Sequence, residues 1–72
     1  MENKLYALYK KAYVNEDGKI EDEVRITYHT DINEIYWFKG KYNYTDEDYF
    51  ICEVIEENGS LVQVEGSEEF YN

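Results

Sequence analysis

Two residues in this chain of 72 could in principle form a nucleophile and its base: Cys52 and His29, each the sole residue of its kind. A cysteine attacks as the thiolate, which needs positive surroundings. Cys52 instead lies between Ile51 and Glu53 in a carboxylate-rich segment, so a buried structural thiol is the better expectation. His29 occupies a polar position of an alternating segment and is expected to be exposed. Paired carboxylates such as Glu53 and Glu65 would need a pocket to separate their pKa values. Asp46-Glu47-Asp48 lacks the glycine and the twelfth-position glutamate of a calcium loop. No glycine-rich phosphate loop or serine-nucleophile motif is present. These residues predict no enzyme, no catalytic residue, no metal and no cofactor.

What remains is binding chemistry. The chain carries 17 Asp and Glu against 7 Lys and Arg, a formal net charge of −10. Phosphates require a basic footprint, so direct binding to nucleic acid or to an anionic membrane is excluded. The charge is also uneven. Residues 1–41 hold eight acids and seven bases, whereas residues 42–72 hold nine acids and no base. Beside the acids stand Tyr36, Trp37, Phe38, Tyr42, Tyr44 and Tyr49. Tyr and Trp give large, rigid contact area at low entropy cost, and their rings accept cations on the face. The expected partner-binding set is therefore Tyr36, Trp37, Tyr42, Tyr44, Asp46, Glu47, Asp48, Glu53, Glu56 and Glu65, facing a basic protein surface. A solvated anionic surface and a tyrosine-built core are the plain alternatives for the same residues.

Positioning these side chains falls to a small β-rich domain. Val and Ile number eleven, with nine Tyr, three Phe and one Trp, while Leu occurs three times and Ala twice. Such side chains favour a pleated surface over a helix. Proline is absent, so Gly, Asn and Asp must make the turns. Residues 3–14 fit a helical face or a strand, with 4–14 as the first arm of a hairpin in the latter case. The Asp17-Gly18 turn and the alternating segment 23–30 beyond it favour a hairpin, with Val24, Ile26 and Tyr28 facing inward. Residues 31–34 read as a turn, 35–38 as a short apolar strand, 39–41 as a break and 42–48 as a loop. Residues 49–56 read as a strand, with a helix over 46–57 as the alternative that a Thr45 cap would allow. Asn58-Gly59 joins this strand to another over 61–65. Residues 67–72 form one helical turn or fray.

The expected fold is all-β, or β-rich α+β: one domain over residues 1–72, built as an antiparallel meander or partly open barrel of about five strands. A three- or four-stranded antiparallel sheet with one helix is the alternative. The expected core is Val24, Ile26, Ile35, Phe50, Cys52, Val54, Val62 and Val64.

In outline the hairpin over 49–64 resembles the central hairpin of small barrels of the Src-homology-3 or Tudor type. That resemblance implies a module taking a peptide or basic tail. The favoured functional expectation is an acidic inhibitor whose carboxylates stand where phosphates would on a nucleic-acid-binding enzyme. Small acidic inhibitors of host defence carried by bacterial viruses are similar in type. A homodimer that buries surplus aromatics is compatible with this composition. No basic leader precedes an apolar stretch, and no run approaches the roughly 20 apolar residues of a membrane helix, so a cytoplasmic protein is expected.

Overall fold

The computed structural model describes residues 4–72. Six strands and one helix follow in the order β1 (Leu5–Lys10), β2 (Tyr13–Val14), β3 (Ile20–Glu21), β4 (Val24–His29), α1 (Ile32–Lys41), β5 (Tyr49–Glu57) and β6 (Ser60–Gln63). A single 3₁₀ turn over Ser67–Phe70 ends the chain's regular structure. The β-rich class read from composition is therefore correct. β4, β1, β5 and β6 form a four-stranded antiparallel sheet in that order, and β2 and β3 form a separate two-stranded arm.

Two of the turns are set by local sequence. Asn58 and Gly59 both take positive φ, 51° and 81°, the pair of conformations that joins β5 to β6 without splaying the strands. In the arm, Gly18 sits at φ 78°, and its N–H donates to the Asn15 carbonyl at 3.0 Å. Asn15 Oδ1 also accepts from the N–H groups of Asp17 and Lys19, at 2.9 and 3.0 Å. This side chain thereby mimics a turn of backbone.

The sheet has two apolar faces. Directly opposed residues in an antiparallel pair point to the same side, and the register places Ala7 opposite Cys52 and Leu8 opposite Ile51. On one side Ala7, Tyr9, Phe50, Cys52 and Val54 are buried, with Leu5 and Leu61 packed on them. This side is concave, and Gln63 Nε2 of β6 donates to Glu23 Oε1, beside β4, at 2.9 Å across it. On the other side Leu8, Ile35 and Ile51 are buried beneath α1, with Tyr6, Ile26, Ile32, Phe38, Tyr44, Tyr49 and Tyr71 around them. Each such aliphatic side chain contributes about 1.5–3 kcal/mol on full burial.

The exposed edge of β5 beyond β6 is closed by the C-terminal segment. Ser67 Oγ accepts from Glu53 N–H at 2.9 Å. The Asn72 carboxamide accepts from Ile51 N–H at 3.0 Å and donates to Ile51 C=O at 2.7 Å. It stands in for a neighbouring strand where β5 would otherwise present unpaired groups. Residues 67–70 form the one helical turn that the sequence allowed.

Several expectations are corrected. Residues 35–38 are helical and not a strand. Asp31 caps α1, its carboxylate accepting from Asn33 N–H at 2.9 Å. Ile32, Ile35 and Phe38 then line one face at helical spacing. Asn43, at φ 56°, ends the helix: its N–H donates to Gly40 C=O at 3.2 Å, and Tyr44 N–H donates to Lys39 C=O at 2.9 Å. That double bond pattern is a Schellman cap, with Asn in the usual glycine position. Residues 39–41 are the last turn of the helix and not a break. The alternative helix over 46–57 is instead the strand β5.

The strand order is also no simple meander, because β1 lies between β4 and β5 and the chain crosses over by α1. Of the expected core, Ile35, Phe50, Cys52 and Val54 are buried, and Ile26 and Val64 are half-buried. Val24 and Val62 are exposed, as is Tyr28, because β4 and β6 are the sheet's outer strands. A bulge in the β1–β4 pairing shifts the register by one residue, so strict alternation across β4 fails.

Candidate functional site

α1 turns Ile35 and Phe38 toward the sheet, which leaves Trp37 facing away, while Tyr36 reaches the C-terminal segment and its hydroxyl donates to the Tyr71 carbonyl at 3.4 Å. Trp37 is 60% exposed, and Tyr36 and Tyr42 are also open to solvent. Lys41 Nζ lies over the Trp37 ring at 4.9 Å and near the Tyr42 ring at 5.3 Å. One ammonium thus already uses the negative faces of both rings. From Tyr42 the aromatics continue inward. Tyr42 and Tyr44 stack at 5.7 Å between centroids, and Tyr44 and Tyr49 stack at 4.2 Å. Phe38 packs against Tyr42 at 4.7 Å. Tyr44 is half-buried, so it serves the core as well as the surface.

The loop after α1 brings the acidic triplet beside these rings. Tyr36, Tyr44 and Asp46, with Lys39, Asn43 and Thr45, border a shallow depression of about 460 Å³. Asp48 and Tyr49 N–H groups both donate to the Thr45 carbonyl, at 3.2 and 2.9 Å, which folds the loop into a turn. Asp46 pairs with Lys39, and this hydrogen bond holds its carboxyl below the usual carboxylate range. Lys11 Nζ donates to the Asp46 carbonyl at 2.7 Å. Glu47 and Asp48 are exposed and share a cleft of about 270 Å³ with Lys10, Lys11 and Tyr13. The half of the sequence without bases is therefore not without bases in space. Lysines of the first half come back to the triplet, and Asp46 is spent on one of them.

Glu53, Glu56 and Glu65 belong elsewhere. β5 carries Glu56 away from Asp48, roughly 27 Å along an extended strand at about 3.4 Å per residue. Glu53 is half-buried and pairs with Lys4 at 3.1 Å; that hydrogen bond raises the Lys4 pKa. Glu56 stands opposite Leu61 near the β5–β6 turn, and Glu65 follows β6. The structure thus places Tyr36, Tyr44 and Asp46 around one depression, Trp37 and Tyr42 about the Lys41 ammonium, and Glu47 and Asp48 in the neighbouring cleft with Tyr13. Glu56 stands toward the far end of β5, whereas Glu53 is at its middle and Glu65 follows Val64, whose N–H donates to the Glu53 carbonyl at 2.9 Å.

Cys52 and His29 do not meet. Cys52 pairs with Ala7 on the concave side, whereas His29 pairs with Tyr6 on the helix side. Burial first, then the nearby Glu68, Glu23 and Glu53, push the Cys52 thiol up to about 12. His29 Nδ1 accepts from Asp31 N–H at 2.9 Å, which helps fix the entry to α1.

Lys11, Glu23, Phe50, Gln63, Glu68 and Asn72 rim a cleft of about 430 Å³ at the mouth of the concave side. Its residues come from six separate places in the chain, so only the folded topology reveals it. Among the described residues no helix is long and apolar enough to cross a membrane. Compared with protein-family models, with curated proteins and with solved structures, the chain matches none.

Proposed function

We propose that this protein is a non-enzymatic binding protein that docks on a basic protein surface through the outer face of α1 and the loop over 42–48. The observation that carries this reading is the exposed Trp37, which shares the Lys41 ammonium with the exposed Tyr42, in a domain that buries Leu8, Ile35 and Ile51 fully. Large aromatic residues in contact with water are favourable anchors once a partner covers them. Lys41 lying over Trp37 supports a cationic ligand for that ring, because a partner's Arg or Lys can take the same place. Glu47 and Asp48 are exposed on the loop that follows Tyr42 and Tyr44 and supply register. The net charge of −10 steers a basic partner toward the molecule from a distance.

A nucleic-acid-binding enzyme is a partner of this chemistry. Its phosphate-binding Arg and Lys would pair with carboxylates as they pair with phosphate oxygens. The test is capture from host lysate on immobilised protein at low salt, followed by a salt ramp. The parent is expected to retain basic proteins that elute as salt rises. Trp37→Ala should lose them, and Glu47→Gln with Asp48→Asn should release them earlier in the ramp. If the Trp37→Ala protein retains the same set with the same elution, the reading is wrong.

A further inference from the structure

The β2–β3 arm is the part of the molecule whose construction the fold itself does not explain. Its strands pair with each other and with no strand of the main sheet. Val14 and Ile20 face each other across the arm, at 65% and 75% exposure. A two-residue ribbon with its apolar pair in water is marginal by itself. Yet the arm is held in shape by polar groups. Asn15 Oδ1 ties the turn through Asp17 and Lys19, and Asn15 Nδ2 donates to Glu21 Oε1 at 2.9 Å. Asn15 N–H also donates to the Lys19 carbonyl at 2.9 Å. These bonds fix a projecting apolar pair that the domain does not bury. An element ordered before contact loses less entropy on binding.

The charge of the arm selects its occupant. Residues 13–23 contain Glu16, Asp17, Glu21, Asp22 and Glu23 against Lys19, and in space Lys10 Nζ adds one ammonium over the Tyr13 ring at 4.3 Å. A second copy of this chain would bring the same acids to the same place, so self-docking is opposed. A partner with apolar side chains set among Lys or Arg complements both the Val14–Ile20 pair and the surrounding carboxylates. Tyr13, at the base of the arm, lines the same cleft as Glu47 and Asp48, and the Val14–Ile20 pair projects from the other face of the ribbon.

We infer that the β2–β3 arm is a second docking element, inserting the Val14–Ile20 pair among the apolar side chains of a basic amphipathic segment on the partner. This rests on the reading of a basic partner and adds to it an apolar requirement.

The experiment compares two probes, deca-lysine and an amphipathic Leu–Lys peptide of equal charge, by calorimetry on the full chain. Val14→Thr with Ile20→Thr keeps the β-branched shape and removes apolar surface. The parent should bind the Leu–Lys peptide more tightly than deca-lysine. The double variant should lose about tenfold toward the Leu–Lys peptide, as expected for two apolar side chains, and keep its affinity for deca-lysine. An amide spectrum unchanged outside residues 12–22 shows that the variant is folded, and the parent's Val14 and Ile20 methyl signals should shift with the Leu–Lys peptide only. Equal affinity of parent and double variant for the Leu–Lys peptide overturns the inference, as does a parent dimer that the double variant dissolves. Deca-lysine that fails to bind the parent, or that binds Trp37→Ala undiminished, counts against the basic-partner reading instead.

Discussion

Cys52 shows how far a residue's neighbours decide its chemistry. Its position between Ile51 and Glu53 already indicated an inert thiol, and burial beneath the concave side gives the main physical cause. With the thiol pushed up to about 12, almost no thiolate exists at neutral pH. Ellman's reagent at pH 8 should therefore leave the folded protein unmodified over hours and label one thiol at once in denaturant. Rapid labelling of the native protein would show that the concave side opens to solvent. Other residues were legible only in part. Phe50, Cys52 and Val54 have the parity that alternation gives. Val24 and Val62 alternate equally well but are exposed, since alternation cannot tell a central strand from an outer one.

At the scale of elements, the hairpin turns were plain because Asp-Gly and Asn-Gly act locally. α1 was hidden because Tyr36-Trp37-Phe38 favours a strand by propensity, and the pieces that overrule it lie outside that triplet. They are the Asp31 cap, the Ile32–Ile35–Phe38 spacing, Glu34 in the first turn, Lys39 and Lys41 in the last, and Asn43 at the Schellman position. The charges at both ends complement the helix dipole. The outward presentation of Trp37 depends on this helix: as a strand, Tyr36 and Phe38 would share one face with Trp37 on the other. Asp31→Ala should cost about 1 kcal/mol of stability, the usual loss for an N-cap carboxylate, measured by urea denaturation. A change below about 0.3 kcal/mol would mean that tertiary packing alone holds the helix.

At the scale of the whole molecule, sheet order was the least legible feature, because β1–β5 pairing joins residues from Lys10 with Tyr49 to Leu5 with Val54, far apart in the chain, and no local signal specifies it. The same long-range pairing brings Lys10 and Lys11 beside Glu47 and Asp48, so a charge map along the sequence misrepresents the surface.

The pH dependence of stability is a property of the whole domain. Cys52, Tyr71 and Lys4 all have raised pKa values, from 9.0, 10.0 and 10.5 in ordinary surroundings. Burial is the first cause for Cys52 and Tyr71, and the hydrogen bond to Glu53 is the first cause for Lys4. Each group binds its proton more tightly folded than unfolded. Above pH 9 the unfolded chain releases protons first, so stability must fall as pH rises. The melting temperature should decline from pH 9 toward about pH 11, and Cys52→Ala, though less stable at pH 7, should show a shallower decline. A melting temperature that is level across this interval would contradict the buried, protonated thiol.

The central claim is that Trp37 and its neighbours form a surface for cations carried by a partner. Trp37 is the sole tryptophan of the chain, so its fluorescence reports on that surface alone. The measurement is its emission during titration with deca-arginine, at low salt and again at about 1 M salt, where charges are screened beyond about 3 Å. The account predicts a saturable change in intensity and wavelength at low salt, weakened by Glu47→Gln with Asp48→Asn and largely lost at high salt. Emission that stays constant through the low-salt titration would contradict it.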